Sequence, residues 1–181
     1  MKKLLLVLFS MMSIASYSQN SKLWGGLEVG YGLNLSDKGD SYKISYGEDT
    51  KMTITSLRGI LGYYVIPQLS IGAGIGFNSY TEPSLNAVPV CLDIRYHPLE
   101  NRNFLLNGNI GYSLATSEKE FDSKVMTDIS IGYKVSNIGK FSLVPAIGYN
   151  FINYSINSPF ENEKKLSQSR HSLFIKVGLI Y

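Results

Sequence analysis

The sequence predicts an all-β protein, an eight-stranded antiparallel up-and-down transmembrane β-barrel with short periplasmic turns and longer extracellular loops. Three observations support this fold class. Apolar residues alternate with small or polar residues in eight segments, and no segment has apolar residues at helical spacing. The less apolar face consists mainly of Gly, Ser, Asn and Ala, which suits the narrow interior of a small barrel. The aromatic residues of the apolar face fall at two levels along the strands.

The first four segments justify four strands in turn. The first opens the pattern, the second ends at the tight "IPQ" turn, the third follows that turn with a glycine at every second position, and the fourth resumes the alternation after a polar stretch. They are "KLWGGLEVGYGLNLS", with Leu27, Val29 and Tyr31 outward; "TITSLRGILGYYVI", with Leu57, Leu61 and Tyr63 outward; "LSIGAGIGF", with Ile71, Ala73 and Ile75 outward; and "AVPVCLDIRY", with Val90, Leu92 and Ile94 outward.

The last four segments repeat the alternation, and the connections alternate in length. Short connections lie at Pro67-Gln68, 97–103 and 136–140, whereas 36–51 and 155–170 are longer and more polar, as in outer-membrane barrels. Pro89 and Pro145 lie inside predicted strands, where we expect local bulges or strand ends because proline lacks an N–H. The segments are "FLLNGNIGYSLA", "VMTDISIGYKV", "FSLVPAIGYNF" and "HSLFIKVGLIY".

The N-terminal residues 1–18 have the features of a secretory signal peptide: two lysines, an apolar run and small residues before a cleavage site after Ser18. Residues 19–181 then form a single domain. Without the two lysines of the signal peptide, 15 of the 17 basic residues remain, against 14 acidic residues. This near balance of charge does not indicate nucleic-acid binding. The lone Cys91 cannot form an internal disulfide. The two histidines are far apart in the sequence and do not have the spacing of metal ligands, so we expect neither a metal nor another cofactor.

The outward aromatic residues separate a membrane barrel from a soluble, lipocalin-like barrel, which would turn its apolar face inward. One group falls near the short-turn rim and the other toward the opposite rim, as expected for rings anchored at both membrane interfaces. A sheet in hydrocarbon must also close, because unpaired backbone groups cost several kcal/mol each. The first and last strands are therefore expected to pair. The predicted interface aromatics are Tyr63, Tyr96, Phe104, Tyr133, Phe141 and Tyr181 at the short-turn rim, and Tyr31, Phe77, Tyr112, Tyr149 and Phe151 opposite.

These features resemble the small outer-membrane barrels of Gram-negative bacteria, of the OmpX and OmpA-barrel type. The stretches "GYYVIPQLSIGAGIGF", "VPVCLDIRY" and "VPAIGYNF" are similar to outer-membrane β-barrel domains over nearly the whole chain after residue 18. The resemblance implies a monomer in the outer membrane, surrounded by its lipids and lipopolysaccharide. It also implies that the terminal strand, ending at Tyr181, is recognised by the barrel-assembly machinery.

The inward face carries seven charged residues that form a predicted polar network in the lumen. Either these charges line a narrow, gated pore for small solutes, or they pair into a plug that fills the interior. The plug is favoured because side chains can fill an eight-stranded barrel. The residues are Glu28, Arg58, Asp93, Arg95, Asp128, Lys134 and Lys176.

Two further features bear on function. Ser169 and His171 share the outward face, and some eight-stranded barrels modify lipid A, but the lipid A deacylase pattern places His before Ser and no orienting acid is evident. We therefore expect no enzymatic activity, and His97, beside Pro98 in a turn, is expected to be structural. The long connections 36–51 and 155–170 mix both charge signs with aromatic residues, so we expect a structural or surface-interaction role, with an extracellular partner bound by these loops.

Overall fold

The computed structural model describes residues 22–38, 53–81, 85–99, 102–115, 121–157 and 165–181. The predicted signal peptide lies outside these ranges, as do residues 39–52 and 158–164 of the connections predicted to be extracellular loops. Within the ranges there is no helix of sufficient length and apolarity to cross a bilayer. The described residues form β1 (Leu23–Lys38), β2 (Thr53–Ile66), β3 (Leu69–Tyr80), β4 (Leu85–Tyr96), β5 (Phe104–Ala115), β6 (Phe121–Tyr133), β7 (Ser136–Ile138), β8 (Phe141–Asn157) and β9 (Lys165–Ile180).

Eight of these strands form a closed antiparallel ring. Each strand from β1 to β6 pairs with the next, β6 pairs with β8, β8 with β9, and β9 with β1. The short β7 pairs only with β8 and extends one hairpin beyond the ring. The predicted up-and-down barrel, including the pairing of its first and last strands, is confirmed.

The register of the ring fixes the tilt of its strands. From Leu23, the paired residues lead through Tyr63, Ile71, Ile94, Gly108, Ile129, Tyr149 and Leu173 back to β1 at Leu33, ten residues beyond the start. A stagger of this size in an eight-stranded ring corresponds to strands tilted by about 40° from the barrel axis. Strands inclined in this way bring residues of different strands to the same height in the lumen.

Alternating side chains give the barrel an apolar outer face and a tightly packed interior. Most outward residues of the predicted segments are exposed or half-buried, up to 69% exposed for Ile129, whereas most of the intervening side chains are buried. An apolar band that encircles a protein is unfavourable in water and favourable in hydrocarbon. The membrane orientation of the two faces therefore fits the fold, and the lipocalin-like orientation does not.

The two prolines are accommodated differently from the expectation of bulges. β4 pairs with β5 straight through Pro89, and its register with β3 is the same on both sides of Pro89, although the pairs opposite Gly76 and Phe77 are missing. Pro145 pairs with Val177 of β9 without a register shift. On its other side the partner of β8 changes, since pairing with β6 stops at Ala146 and pairing with β7 starts at Leu143. The expectation of a bulge or a strand end at each proline is therefore wrong, since both lie inside strands without a register shift and each missing N–H falls where pairing with one neighbouring strand is interrupted.

Three strands extend into the two connections predicted to be long loops. β1 ends at Lys38, β8 ends at Asn157 and β9 begins at Lys165, so both ends of the predicted loop 155–170 and the start of the loop 36–51 are strand. The β8–β9 ladder continues to the pair Asn157 and Lys165. Outside a membrane an antiparallel ladder no longer needs an apolar face, so the loss of alternation does not mark its end.

Candidate functional site in the lumen

The interior contains, at mid-height, a connected layer of buried polar side chains, called the central layer below. Alternation directs each of these side chains inward from the wall, and the strand tilt brings them together. Six of the seven charged residues predicted for the lumen belong to it, together with three neutral residues. The central layer consists of Glu28, Arg58, Asp93, Arg95, Asp128 and Lys176, with Asn107, Asn109 and Ser130.

Arg95 organises one half of the central layer. Its Nη2 donates to Glu28 Oε1 at 2.7 Å, and its Nε donates to Asp93 Oδ1 at 2.7 Å. The guanidinium carbon lies 4.1 Å from the centre of the Trp24 ring, within the range of a cation–π contact. One arginine thus joins two carboxylates and one aromatic ring.

Asp128 organises the other half. Its Oδ2 accepts from Arg58 Nη1 at 2.9 Å, and its Oδ1 accepts from Lys176 Nζ at 3.1 Å and Asn109 Nδ2 at 3.0 Å. Lys176 Nζ also lies 3.4 Å from Glu28 Oε2, so this lysine bridges the two halves.

Asn107 provides a second link between the halves. Its Nδ2 donates to Asp93 Oδ2 at 2.8 Å, while its Oδ1 accepts from Lys176 Nζ at 2.7 Å and from Asn109 Nδ2 at 2.8 Å. The sequence reasoning did not include Asn107, Asn109 or Ser130 among the site residues. The signal that could have found them is the inward parity of the asparagines in "FLLNGNIGYSLA", which face the same lumen as the charges.

The central layer has no net formal charge, and its charged side chains are buried. Three carboxylates, from Glu28, Asp93 and Asp128, face three cations, from Arg58, Arg95 and Lys176. All six are buried, and the most exposed of them, Glu28, retains only 7% of its accessible surface. Buried charges are tolerated when they are paired and hydrogen-bonded, as these are. Two of these ion pairs connect strands on opposite sides of the barrel.

Buried apolar side chains lie in the lumen on the long-loop side of this layer. They form a cluster directed inward from β2, β3, β4, β8 and β9, in positions where the sequence pattern led us to expect small or polar residues. The cluster consists of Ile54, Tyr80, Ala87, Ile152 and Phe174. On the short-turn side, the Trp24 ring packs against Gly62, where an added Cβ would lie 2.4 Å from the ring.

Lys134 is not part of the central layer. It follows the last residue of β6, its side chain is half-buried, and its backbone N–H donates to the Asn103 carbonyl at 2.8 Å. The segment "VMTDISIGYKV" extends the alternation to residue 135, but the ring contribution of this strand ends at Tyr133. Lys134 therefore lies at the short-turn rim.

All eleven aromatic residues predicted for the membrane interfaces lie on the outward-facing side of the wall and are exposed or half-buried. At the short-turn rim, Tyr96 and Tyr133 end their strands, Phe104 and Phe141 begin theirs, and the rings of Phe141 and Tyr181 are 5.6 Å apart. Toward the other rim, the Phe151 ring lies 5.2 Å from the His171 ring. These placements make the belts geometrically possible, and their role at the membrane interface stays a prediction.

Ser169 and His171 do not form the hydrogen-bonded pair that nucleophilic catalysis needs. His171 Nδ1 is hydrogen-bonded to Tyr149 Oη, so this nitrogen is occupied. Ser172, the other adjacent hydroxyl, is buried on the inward face. The imidazole thus extends the outward aromatic group of Tyr149 and Phe151.

Comparison with known proteins supports the fold. No protein-family model and no curated protein matches the sequence. Among solved structures, the chain is similar to outer membrane protein AlkL in lipid bilayers, with a TM-score of 0.53, 14% identity and 90% of each chain covered. It is also similar to Neisserial surface protein A (NspA), with a TM-score of 0.50, 12% identity, and 87% of this chain and 97% of that chain covered. The predicted outer-membrane β-barrel architecture is thus confirmed.

Proposed function

We propose that this protein, which has the fold of the small outer-membrane β-barrels, is a closed and non-enzymatic barrel with a structural or surface-interaction role. It lies in the outer membrane among lipids and lipopolysaccharide, as a monomer, and its long connections face the exterior. The observation that carries the proposal is the central layer, whose paired charges span the lumen and exclude water. A closed lumen leaves the outer surface and the loops as the parts that can act on other molecules.

The central layer favours a plug over the alternative of a narrow small-solute pore. A conducting lumen needs side chains in contact with water along its length, whereas Asp93 and Asp128 retain 0% and 1% of their accessible surface. The apolar cluster around Phe174 adds a second barrier on the long-loop side. A solute would have to break several ion pairs to pass.

Conductance in planar bilayers tests the closed lumen. We expect no conductance steps from the wild type and an ion leak from Glu28→Ala or Arg58→Ala, because each change removes a side chain of the central layer that forms an ion pair inside the lumen. Lys140→Ala, outside the lumen in the exposed turn before β8, is the matched control and should behave as the wild type. Conductance in the wild type that disappears in Glu28→Ala or Arg58→Ala would instead establish the pore.

A loop replacement separates a surface-interaction role from a purely structural one. We propose that 36–51 and 155–170 bind an extracellular partner, since loops on a rigid scaffold commonly carry recognition. Cells whose protein has residues 40–50 replaced by a short Gly-Ser linker should lose attachment to surfaces while keeping the folded barrel. If attachment is unchanged and only complete deletion weakens the envelope against detergent, the role is structural.

Two further experiments test the remaining parts of the proposal. Lipid A should have the same mass spectrum in wild-type and deletion strains, and a deletion-dependent change would reveal an enzyme.

We also propose that Tyr181 helps the assembly machinery to recognise the chain. Tyr181→Ala should slow insertion in cells while leaving spontaneous folding in detergent unchanged, whereas equal effects in both settings would contradict a recognition role.

A further inference from the structure

We propose that the short-turn end of the lumen contains a site for a small monovalent anion, and that the anion enters together with a proton on His97. The site is formed by Trp24, Ser70, Arg95 and His97. Neither the plug nor the loops require such a site, so the proposal goes beyond the function proposed above. All four side chains are buried, with 4%, 0%, 2% and 8% of their accessible surface remaining.

These four residues are neighbours in the fold although they come from three parts of the chain. Ser70 of β3 pairs directly with Arg95 of β4. His97 follows Arg95 by two residues, and its backbone N–H donates to the Gln68 carbonyl at 2.8 Å, which holds it beside β3. The Trp24 ring lies against the Arg95 guanidinium at 4.1 Å.

Each of the four residues carries one buried polar atom that has no hydrogen-bond partner among the described residues. These atoms are Trp24 Nε1, Ser70 Oγ, Arg95 Nη1 and His97 Nδ1. The other donors of Arg95 are used differently, since Nε binds Asp93 and Nη2 binds Glu28. Leaving a buried polar atom unpaired costs about 1–3 kcal/mol, so four such atoms on residues that are neighbours in the fold indicate a ligand.

The chemistry of these atoms selects a hydrogen-bond acceptor. Trp24 Nε1 and Arg95 Nη1 can only donate, and the Ser70 hydroxyl can donate as well. His97 Nδ1 becomes a fourth donor when the imidazole is protonated. A small anion accepts from all four groups, whereas a cation would meet the Arg95 charge.

Charge balance couples the anion to a proton. The three cations of the central layer are already matched by its three carboxylates, so a buried anion needs one additional positive charge. His97 is the titratable group that can supply it. Burial lowers the pKa of His97, and the charges of Arg102 and Arg95 lower it further, while hydrogen bonds to the backbone of Phe104 and Arg102 oppose them. The Tyr64 ring faces the imidazole at 6.2 Å, and the Arg102 guanidinium lies over that ring.

The site contains its own spectroscopic probe, because Trp24 is the only tryptophan of the chain. Bromide resembles chloride in size and quenches indole fluorescence through its heavy atom. The refolded full chain in detergent is titrated with sodium bromide at pH 7.5 and pH 5.5, with acrylamide as a neutral quencher. We expect saturable bromide quenching whose apparent affinity rises about tenfold for each unit of pH decrease above the His97 pKa, since one proton is taken up per anion.

Matched variants distinguish this site from general quenching. Ser70→Ala removes one donor and should weaken bromide binding several-fold, whereas Ser113→Ala, which removes another fully buried and unpartnered hydroxyl on the long-loop side, should not. His97→Gln should abolish the pH dependence. Linear quenching by bromide and acrylamide alike, equal effects of the two serine variants, or saturable binding without pH dependence would each overturn the proposal.

Discussion

Arg58 and Asp128 are separated by 70 positions in the chain, and their side chains meet at 2.9 Å in the centre of the lumen. Their strands, β2 and β6, are four places apart in a ring of eight, so this ion pair spans the full diameter of the barrel. This contact divides the cross-section of the lumen into two parts, one on each side of the pair. Neighbouring residues of the central layer occupy that space.

The first prediction concerns this ion pair. Arg58→Met should lower the free energy of unfolding by about 3–5 kcal/mol, because it leaves a buried carboxylate with fewer cationic partners. The double variant Arg58→Met with Asp128→Leu should recover much of this loss, since the unpaired charge is then removed as well. Urea unfolding in lipid vesicles measures both. Equal losses in the single and double variants would show that the pair is not the source of the effect.

The second prediction concerns close packing at the short-turn end. Gly62→Ala should destabilise the barrel by about 1–3 kcal/mol and shift the fluorescence of Trp24, because the new methyl group would lie 2.4 Å from the Trp24 ring. Gly108→Ala is the matched control, since no atom of the described residues lies within 4 Å of the added Cβ. A spectrum unchanged by Gly62→Ala would mean that the ring does not pack there.

The third prediction tests the lipid-facing wall. Ile129→Arg should destabilise the inserted barrel by about 2–4 kcal/mol, since a cation on the apolar band must be moved into hydrocarbon. Ser136→Arg, at an exposed position of β7 outside the ring, should change stability by less than about 0.5 kcal/mol. Folding yields in vesicles compare the two. Similar yields would argue that position 129 does not contact acyl chains.

The fourth prediction follows from the lowered pKa of His97. A histidine whose pKa is lower in the folded state than in the unfolded state stabilises the fold above the unfolded pKa of about 6.5. That contribution is lost as the pH falls from this value through the folded pKa. In halide-free buffer, the melting temperature of the wild type should therefore fall between pH 7.5 and pH 5. His97→Gln should remove this decline, and a decline that persists in the variant must come from other groups.

Most of the fold could be predicted from the sequence because each strand alternates with a period of two, and a closed sheet in hydrocarbon allows few topologies. The assignment of residues such as Val29 and Glu28 to opposite faces needs only this local pattern. The height at which residues meet depends on the stagger of the whole ring, which no single segment contains. For this reason the sequence could place Arg58 and Asp128 in the lumen but could not pair them across its diameter.

The differences from the sequence reasoning have the same origin. Lys134 continues the alternation of its segment, yet the strand leaves the ring one residue earlier. From the sequence pattern, Asn107 and Asn109 are two of the small or polar residues that occupy a narrow interior. The register of the ring places them between charged neighbours. Phe174 and Ile54 are large apolar residues on the inward face, where most residues are small or polar. They fit because glycines on β1 leave room for them, as the close approach of Phe174 to Gly30 illustrates.

Paired residues followed once round the ring lead back to β1 ten residues beyond the starting residue, and this stagger has a mechanical consequence. One strand cannot slide along its neighbour unless every other junction shifts or the seam between two strands opens, and an open seam exposes two rows of backbone groups to hydrocarbon. The barrel therefore cannot unfold strand by strand, and we expect it to unfold in one cooperative step. Denaturant curves recorded in the unfolding and refolding directions should consequently show pronounced hysteresis.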